Sequence, residues 1–524
     1  MHSAKITARP PLIPMHEDEI PSVMSPAEER FEYWRRRVGF ILGPAAFVLL
    51  LLFPISGLTP EAQKLTAALA LAIVFWVTEA IPMAATALLA PALCIPLGVA
   101  KDKEVLAPFA HPSIFLFIGS FMLAEAMRVH GLDRRMALWV LTRRGVTRTP
   151  FTLFAALGCM TALLSMWMSN VATTAMMMPI AIGVLQSCPG LRNQPRVTCN
   201  LVLLIAFAAS VGGLGTPVGT PPNIIAMGFL KKLTGEQVTF FDWMKLGVPL
   251  VAVLMCFLLW ILRPRGLSFG DRSEMDRSLR DQRAALGPVT PGQRNAGLIF
   301  LLAVTLWMWP GLVDLTLETL NKLDPGTLDP LVWKERLGTA WITRHLPEET
   351  VGLLCGLLVF LLPVDLKEWK FTLTWKQAAQ IDWATIFLFA GGLALGTMIF
   401  QTKLAEAMGN GMTAWLGQPG LWVLIAAGIC LSLLLSEATS NTASANVMVP
   451  LMIALATQSG LPALPVALAT GLACSFGFML PVSTGPNALA YSTGHVPLPR
   501  MIKSGILLDI AGAIAIWLIV RAFY

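Results

Sequence analysis

Residues 163–179 read LLSMWMSNVATTAMMMP, and residues 434–450 read LLSEATSNTASANVMVP. Aligned without gaps they match at eight of 17 positions, and each interrupts an apolar run with Ser-Asn, at Ser169-Asn170 and Ser440-Asn441. An unpaired polar group costs free energy in an apolar setting, so each pair marks a place where regular helical bonding stops inside an apolar block. Two such blocks, 150–186 and 419–457, are expected to be helical hairpins with these residues at their tips.

The surroundings of the two blocks are those of a membrane protein. Hydrophobic residues make up 55% of the 524 and charged residues only 13%, against about 25% charged in a soluble globular domain. Apolar runs long enough to cross a hydrocarbon layer roughly 30 Å thick begin near 39, 64, 82, 113, 200, 245, 295, 350, 383, 464 and 503. The expected architecture is an all-α polytopic membrane protein with about 11 transmembrane helices and two re-entrant hairpins.

Charge sets the expected orientation. Arg35, Arg36 and Arg37 precede the first span, and the positive-inside rule puts them in the cytoplasm. Residues 1–38 are polar, have no apolar core or small-residue cleavage site of a signal peptide, and are expected to be a cytoplasmic tail. Segments 131–148 and 263–294 are rich in Arg and read as cytoplasmic, whereas 313–349 carries seven acids against four Lys and Arg and reads as external. This orientation accommodates each block either as one hairpin or as two full spans. The net charge of +7 is accounted for by these loops and calls for no nucleic-acid partner. Eight scattered cysteines, without a CxxC or a Cys/His cluster, point to neither a metal site nor a disulfide framework.

Further matches extend the duplication. SIFLFIGSFMLAEAM at 113 resembles TIFLFAGGLALGTMI at 385, and TPVGTPPN at 216 resembles LPVSTGPN at 480. On the charge-based topology the two IFLF segments run in opposite directions, so the halves are expected to form an inverted repeat: 39–263 with hairpin 150–186, and 295–524 with hairpin 419–457, joined by a linker at 264–294. Inverted repeats of this kind are the architecture of secondary transporters, with substrate and ion sites on broken helices at the repeat interface.

The interrupting residues suit that chemistry. Helix starts expose N–H groups that attract anions, and Ser and Asn oxygens accept from donors or face cations. The Gly- and Pro-rich segments 210–228 and 475–494 are expected to break their spans and free main-chain carbonyls. Carboxylates in apolar segments are few, namely Glu79, Glu125, Asp382, Glu437 and Asp509, and such residues are functional candidates. Glu437, three residues before Ser440, is the most pointed of them. An intramembrane hydrolase using Ser169 or Ser440 would need a base within reach, and none of the six His falls in a hairpin block. No catalytic residue is therefore assigned.

FWVTEAIPMAATALLAP at 75–91, the paired Ser-Asn motifs and the paired Thr-x-Pro-Asn breaks together resemble the divalent anion:sodium symporter family, over about residues 40–524. The resemblance implies a homodimer in the lipid bilayer, with scaffold and transport domains working as an elevator. It implies sodium-coupled uptake of a di- or tricarboxylate (succinate, malate, 2-oxoglutarate or citrate), with a sodium-independent exchanger or a sulfate transporter as the alternative. The uncleaved N-terminus and helical spans read above point to a cell (inner) membrane with the N-terminus inside. It places Na⁺, two or more ions, at Ser165, Ser169, Asn170 and Gly215, and at Ser436, Thr439, Asn441 and Val482. It places the substrate at Ser169, Asn170, Val171, Ser440, Asn441 and Thr442, with Thr220, Pro221 and Thr484 beside them. Two residues depart from the family pattern: Val171 stands where Thr is usual, and Gly485 where a second Pro is common.

Overall fold

The computed structural model describes residues 26–524 apart from 189, 192–193, 265–272, 324–328 and 417–419; most of the expected N-terminal tail and part of the expected linker lie outside this range. The first half begins with α1 (Pro26–Leu52), α2 (Pro60–Thr78), α3 (Met83–Cys94) and the short α4 (Asp102–Leu106). It continues through α5 (Pro112–Val129), α6 (Leu132–Leu141), α7 (Pro150–Ser165), α8 (Asn170–Gln186), α9 (Pro195–Gly213), α10 (Pro221–Thr234) and α11 (Phe240–Leu262). After α12 (Ser273–Ala284) come α13 (Pro291–Leu323), α14 (Pro330–Arg336), α15 (Thr339–His345) and α16 (Glu348–Leu358). A small strand pair, β1 (Pro363–Asp365) with β2 (Lys370–Phe371), precedes α17 (Trp375–Ala378), α18 (Trp383–Gln401) and α19 (Leu404–Leu416). The chain ends with α20 (Leu421–Ala438), α21 (Asn441–Gln458), α22 (Ala463–Ala473), α23 (Gly485–Ser492) and α24 (Leu498–Phe523).

This is an all-α membrane protein. Among the described residues, eight helical segments are long and apolar enough to cross a bilayer. Local chemistry sets several starts. Thr59, Thr149 and Thr239 cap α2, α7 and α11 through their hydroxyls, and Asp382 caps α18 by accepting from Thr385 N at 2.9 Å. Such caps satisfy N–H groups that a helix start otherwise leaves unbonded.

From α5 onward the two halves repeat element by element. α5 corresponds to α18, α6 to α19, α7/α8 to α20/α21, α9/α10 to α22/α23, and α11 to α24. The halves also exchange contacts. α5 packs on α16 and α18 on α3, and at both crossings a glycine lets the backbones touch: a Cβ at Gly119 would strike Gly352 O, and one at Gly391 would strike Ala87 O. Gly119 and Gly391 are equivalent positions of the two IFLF segments. Overpacking of this kind costs about 1–3 kcal/mol. Gly119→Ala is therefore expected to lower the thermal unfolding midpoint of the purified protein, whereas Gly183→Ala in α8, where a Cβ would meet nothing within 4 Å, is expected to leave it unchanged or raise it.

From Leu201 to Gly213, α9 is buried around its whole circumference, as a stretch that is apolar on nearly every side should be. Phe207 on α9 meets Phe478 from the second half edge-to-face, with ring centroids 5.2 Å apart. The broken pairs are interlaced: α10 packs on α21 and α22, and α23 packs on α8 and α9.

Some segments read as loops from their charge contain helices. In 131–148, α6 buries Ala137, Leu138 and Leu141, an amphipathic stripe that its arginines obscure. α12, in the loop after α11, buries only Met275 and Leu279, and Met275 Sδ accepts from Cys188 Sγ at 3.1 Å. α13 extends to Leu323, inside the acidic segment 313–349, because Leu312, Leu315 and Leu320 continue an apolar helical surface past its first acid.

Candidate functional site

α7 ends at Ser165 and α8 begins at Asn170, so the Ser-Asn pair sits at the break, and the second pair sits likewise between α20 and α21. Both tips are closed by a serine hydroxyl against an asparagine amide. Ser165 Oγ lies 2.7 Å from the Asn170 side-chain amide, and Ser436 Oγ lies 2.8 Å from Asn441 Oδ1; both serines are fully buried.

Main-chain carbonyls complete each cage. The Asn170 NH₂ donates to Ala209 O at 3.1 Å, to Gly219 O at 3.3 Å and to Ser165 Oγ at 2.7 Å. At the second tip Ser436 Oγ lies 2.7 Å from Cys474 O, and Asn441 Nδ2 donates to Ser475 O at 3.3 Å. Thr439 Oγ1 bonds Ser444 Oγ at 2.9 Å and faces Leu435 O.

The span breaks are held open by equivalent asparagines. Asn223 Nδ2 donates to Gly213 O (2.9 Å) and Thr216 O (2.7 Å), and Asn487 Nδ2 donates to Gly477 O (2.8 Å) and Leu480 O (3.0 Å). These bonds occupy carbonyls that a continuous helix would have bonded internally, which is how buried irregular backbone is tolerated. Thr216 Oγ1 donates to Met166 O and ties the first break to its tip. Both asparagines lay inside motifs recognised in the sequence, which gave no clue to their bracing role.

Not every expected ligand sits at a cage. Leu214 O accepts from Trp243 Nε1 at 3.0 Å, and the Gly215 carbonyl is turned toward Gly247 of α11. Val482 has a half-exposed side chain, and the carbonyls that approach the second tip are those of Cys474 and Ser475. Thr220 is buried just before α10, Pro221 occupies its first position, and Thr484 caps α23 by accepting from Asn487 N at 3.3 Å.

The tips differ in how their exposed residues are engaged. Ser440 caps α21 by accepting from Ala443 N at 3.2 Å, and its Oγ lies 3.2 Å from Met83 Sδ. Ser169 is exposed and its hydroxyl caps nothing. Thr442 is buried, and Val171 is half-buried against the start of α23. A Cβ at Gly485 would run into Val171 Cγ2, so the two residues that depart from the family pattern touch each other.

The membrane carboxylates divide by role. Glu79, in the left-handed conformation at the end of α2, pairs with Arg35 at 3.3 Å; Glu125 forms a two-pronged pair with Arg128; Asp382 is a helix cap. Glu437 instead joins the second tip to its break. Its Oε1 accepts from Met479 N at 2.8 Å, its Oε2 accepts from Ser483 Oγ at 2.8 Å, and its carbonyl oxygen lies 3.0 Å from the same hydroxyl. Ser483 lies inside the LPVSTGPN motif, whose repeat counterpart has Gly219 at that position. Among the described residues no cluster of three or more His, Cys, Asp or Glu could hold a metal ion, and the cages are lined by hydroxyl, amide and main-chain carbonyl groups.

A membrane fold whose repeated halves each bring one hairpin tip and one broken helix to their interface defines a secondary transporter. The profile of the sodium:sulfate symporter transmembrane region matches residues 35–524, and the chain belongs to this family, the divalent anion:sodium symporters; it is a transporter and not an enzyme. It is 32% identical to the sodium-dependent dicarboxylate transporter SdcS of Staphylococcus saprophyticus over 92% of this chain and 90% of that one. Identity to the SdcS of Staphylococcus aureus is 31% over the same shares, and to an uncharacterised transporter of Haemophilus influenzae 32% over 90% and 93%. The fold is similar to that of the Neisseria gonorrhoeae efflux pump MtrF, with a TM-score of 0.51 at 13% identity over 90% of this chain and 97% of that chain.

Proposed function

We propose that the protein couples inward sodium movement to uptake of a di- or tricarboxylate such as succinate, malate, 2-oxoglutarate or citrate. The observation that carries this is the pair of equivalent cages, Ser165–Asn170 and Ser436–Asn441, each lined by carbonyl oxygens and each beside a helix N-terminus. The names of relatives 31–32% identical over nine-tenths of their length support it.

In this mechanism one Na⁺ enters each cage and replaces the hydroxyl–amide bond that closes it. The tips then present Ser169-Asn170 and Ser440-Asn441, with the N–H groups at the starts of α8 and α21, to the two ends of the anion. Neither tip contains a basic residue, so the bound cations and helix dipoles offset the substrate's charge. Thr220, Pro221 and Thr484 line the approach. The hairpins, broken helices, α11 and α24 then move as an elevator against the remainder, which forms the dimer, in a cell membrane with the N-terminus inside.

The competing reading is a sodium-independent exchanger. Thermal-shift measurements on the purified protein separate the two. Stabilisation by succinate or citrate in Na⁺ but not in K⁺ is the expected result. Equal stabilisation in both salts favours exchange, and stabilisation by sulfate alone removes carboxylates as the substrate.

A further inference from the structure

The stretch FWVTEAIPMAATALLAP at 75–91 contributes to neither cage, yet its fold leads to the second hairpin tip. Glu79 ends α2 in the left-handed conformation, Pro82 precedes α3, and the two helices pack on each other with Met83 at the first position of α3. Trp76, with 2% of its surface exposed, donates from Nε1 to Met83 O at 3.3 Å. One turn further on, Ala87 O lies against Gly391 and presses α3 onto α18. The main chain of residue 83 is thus held from two sides.

The Met83 side chain is half-buried, packs against an apolar cluster that contains Trp76, Ala87 and Ala443, and reaches the tip between α20 and α21. Its Sδ lies 3.2 Å from Ser440 Oγ, which also accepts from Ala443 N at 3.2 Å. A serine hydroxyl has one proton to give, and here it is directed at the thioether. The corresponding serine of the first tip, Ser169, is exposed and caps nothing.

A thioether is a weak acceptor, whereas a hydrogen bond to a carboxylate oxygen is about twice as strong as one between neutral groups. An anion that arrives at Ser440 takes the hydroxyl away from Met83, whose unbranched side chain has the freedom to swing aside. We propose that Met83 is a further residue of the substrate site: its sulfur stands in for a substrate oxygen at Ser440, and the anion binds by displacing it. The acceptor at position 83 then sets how tightly the second tip holds the substrate. This role rests on the placement of the substrate at Ser440, Asn441 and Thr442 proposed above.

The test compares Met83→Leu, which keeps the bulk without the acceptor and is the kind of swap a packed site tolerates, with Met83→Glu, which puts a negative charge where the sulfur sits. The probe is whichever of succinate, citrate and sulfate stabilises the wild-type protein in the thermal-shift measurement above. In proteoliposomes at pH 8, Met83→Leu should lower the half-saturating concentration of that anion about three-fold, within the range for one neutral hydrogen bond, and keep the maximal uptake rate. Met83→Glu should raise it more than ten-fold through repulsion at close range. A residue that only packs would instead leave the half-saturating concentration alone and lower the unfolding midpoint of the ligand-free protein. A Met83→Leu variant that binds no more tightly than wild type, or a Met83→Glu variant that binds as well as wild type, overturns the role of Met83 while leaving the transport reading intact. If none of the three anions stabilises the wild type, the substrate placement fails and the role of Met83 falls with it.

Discussion

Gly485→Ala is expected to abolish or strongly reduce uptake, and Val171→Ala in the same chain to restore it. The added Cβ would overlap Val171 Cγ2, so one of the two must shift. Val171 sits in the first turn of α8, directly after Asn170, so the strain falls on its side chain and on the tip that carries Ser169 and Asn170. The overpacking cost of about 1–3 kcal/mol is small beside the stability of a large membrane fold, but it falls on the cage, so activity should suffer more than the thermal midpoint. Truncating Val171 to Ala removes the colliding methyl and should bring activity back. Val171→Thr keeps the volume and adds a hydroxyl, so it should be tolerated beside Gly485. Uptake rates and unfolding midpoints for the two single variants and the double variant form a complete cycle. A fully active Gly485→Ala protein, or a double variant no better than the single one, would contradict this coupling.

Gly213→Ala should impair sodium dependence more than its repeat equivalent, Gly477→Ala. At 213 the new Cβ would lie 2.6 Å from the Asn170 side-chain amide and 3.1 Å from Gly219 O, filling the first cage. At 477 its neighbours are Ser483 Cβ at 3.1 Å, Ser436 O at 3.3 Å and Asn441 Oδ1 at 3.4 Å, contacts that a shift of a few tenths of an ångström relieves. The expectation for Gly213→Ala is a rise of about ten-fold or more in the sodium concentration giving half-maximal uptake, the range known for disturbing the shell of a metal ligand. Gly477→Ala should show a smaller rise. Sodium titrations of uptake check the order, and a reversed order would mean that the Asn170 cage is not the more tightly drawn of the two.

Much of this fold was legible in the chain. The starts of the eleven apolar runs fall in a helix or within a residue of one, seven of them in helices long and apolar enough to cross a bilayer, and both Ser-Asn pairs fall at helix breaks, because apolar length and polar interruption are local properties. The repeat was legible through Ser169-Asn170, Ser440-Asn441 and the two IFLF segments. Interlacing was not: nothing in the residues of α23 says that it packs on α8 in the other half. For the same reason Val171 and Gly485 could be noted as separate departures, but their contact could not be foreseen. Glu437 stood out as a charge beside a tip, whereas its partners Met479 N and Ser483 belong to irregular backbone that sequence periodicity does not describe. α6 and α12 were hidden because their buried stripes are only two or three residues wide among many arginines.

Accumulation of radiolabelled succinate or citrate in proteoliposomes, with and without an inward sodium gradient, tests the central claim most directly. Uptake above the external concentration only when the gradient is present is the predicted result. Equal uptake with potassium in place of sodium, or accumulation only when counter-substrate is loaded inside, would contradict sodium coupling through the Ser165–Asn170 and Ser436–Asn441 cages.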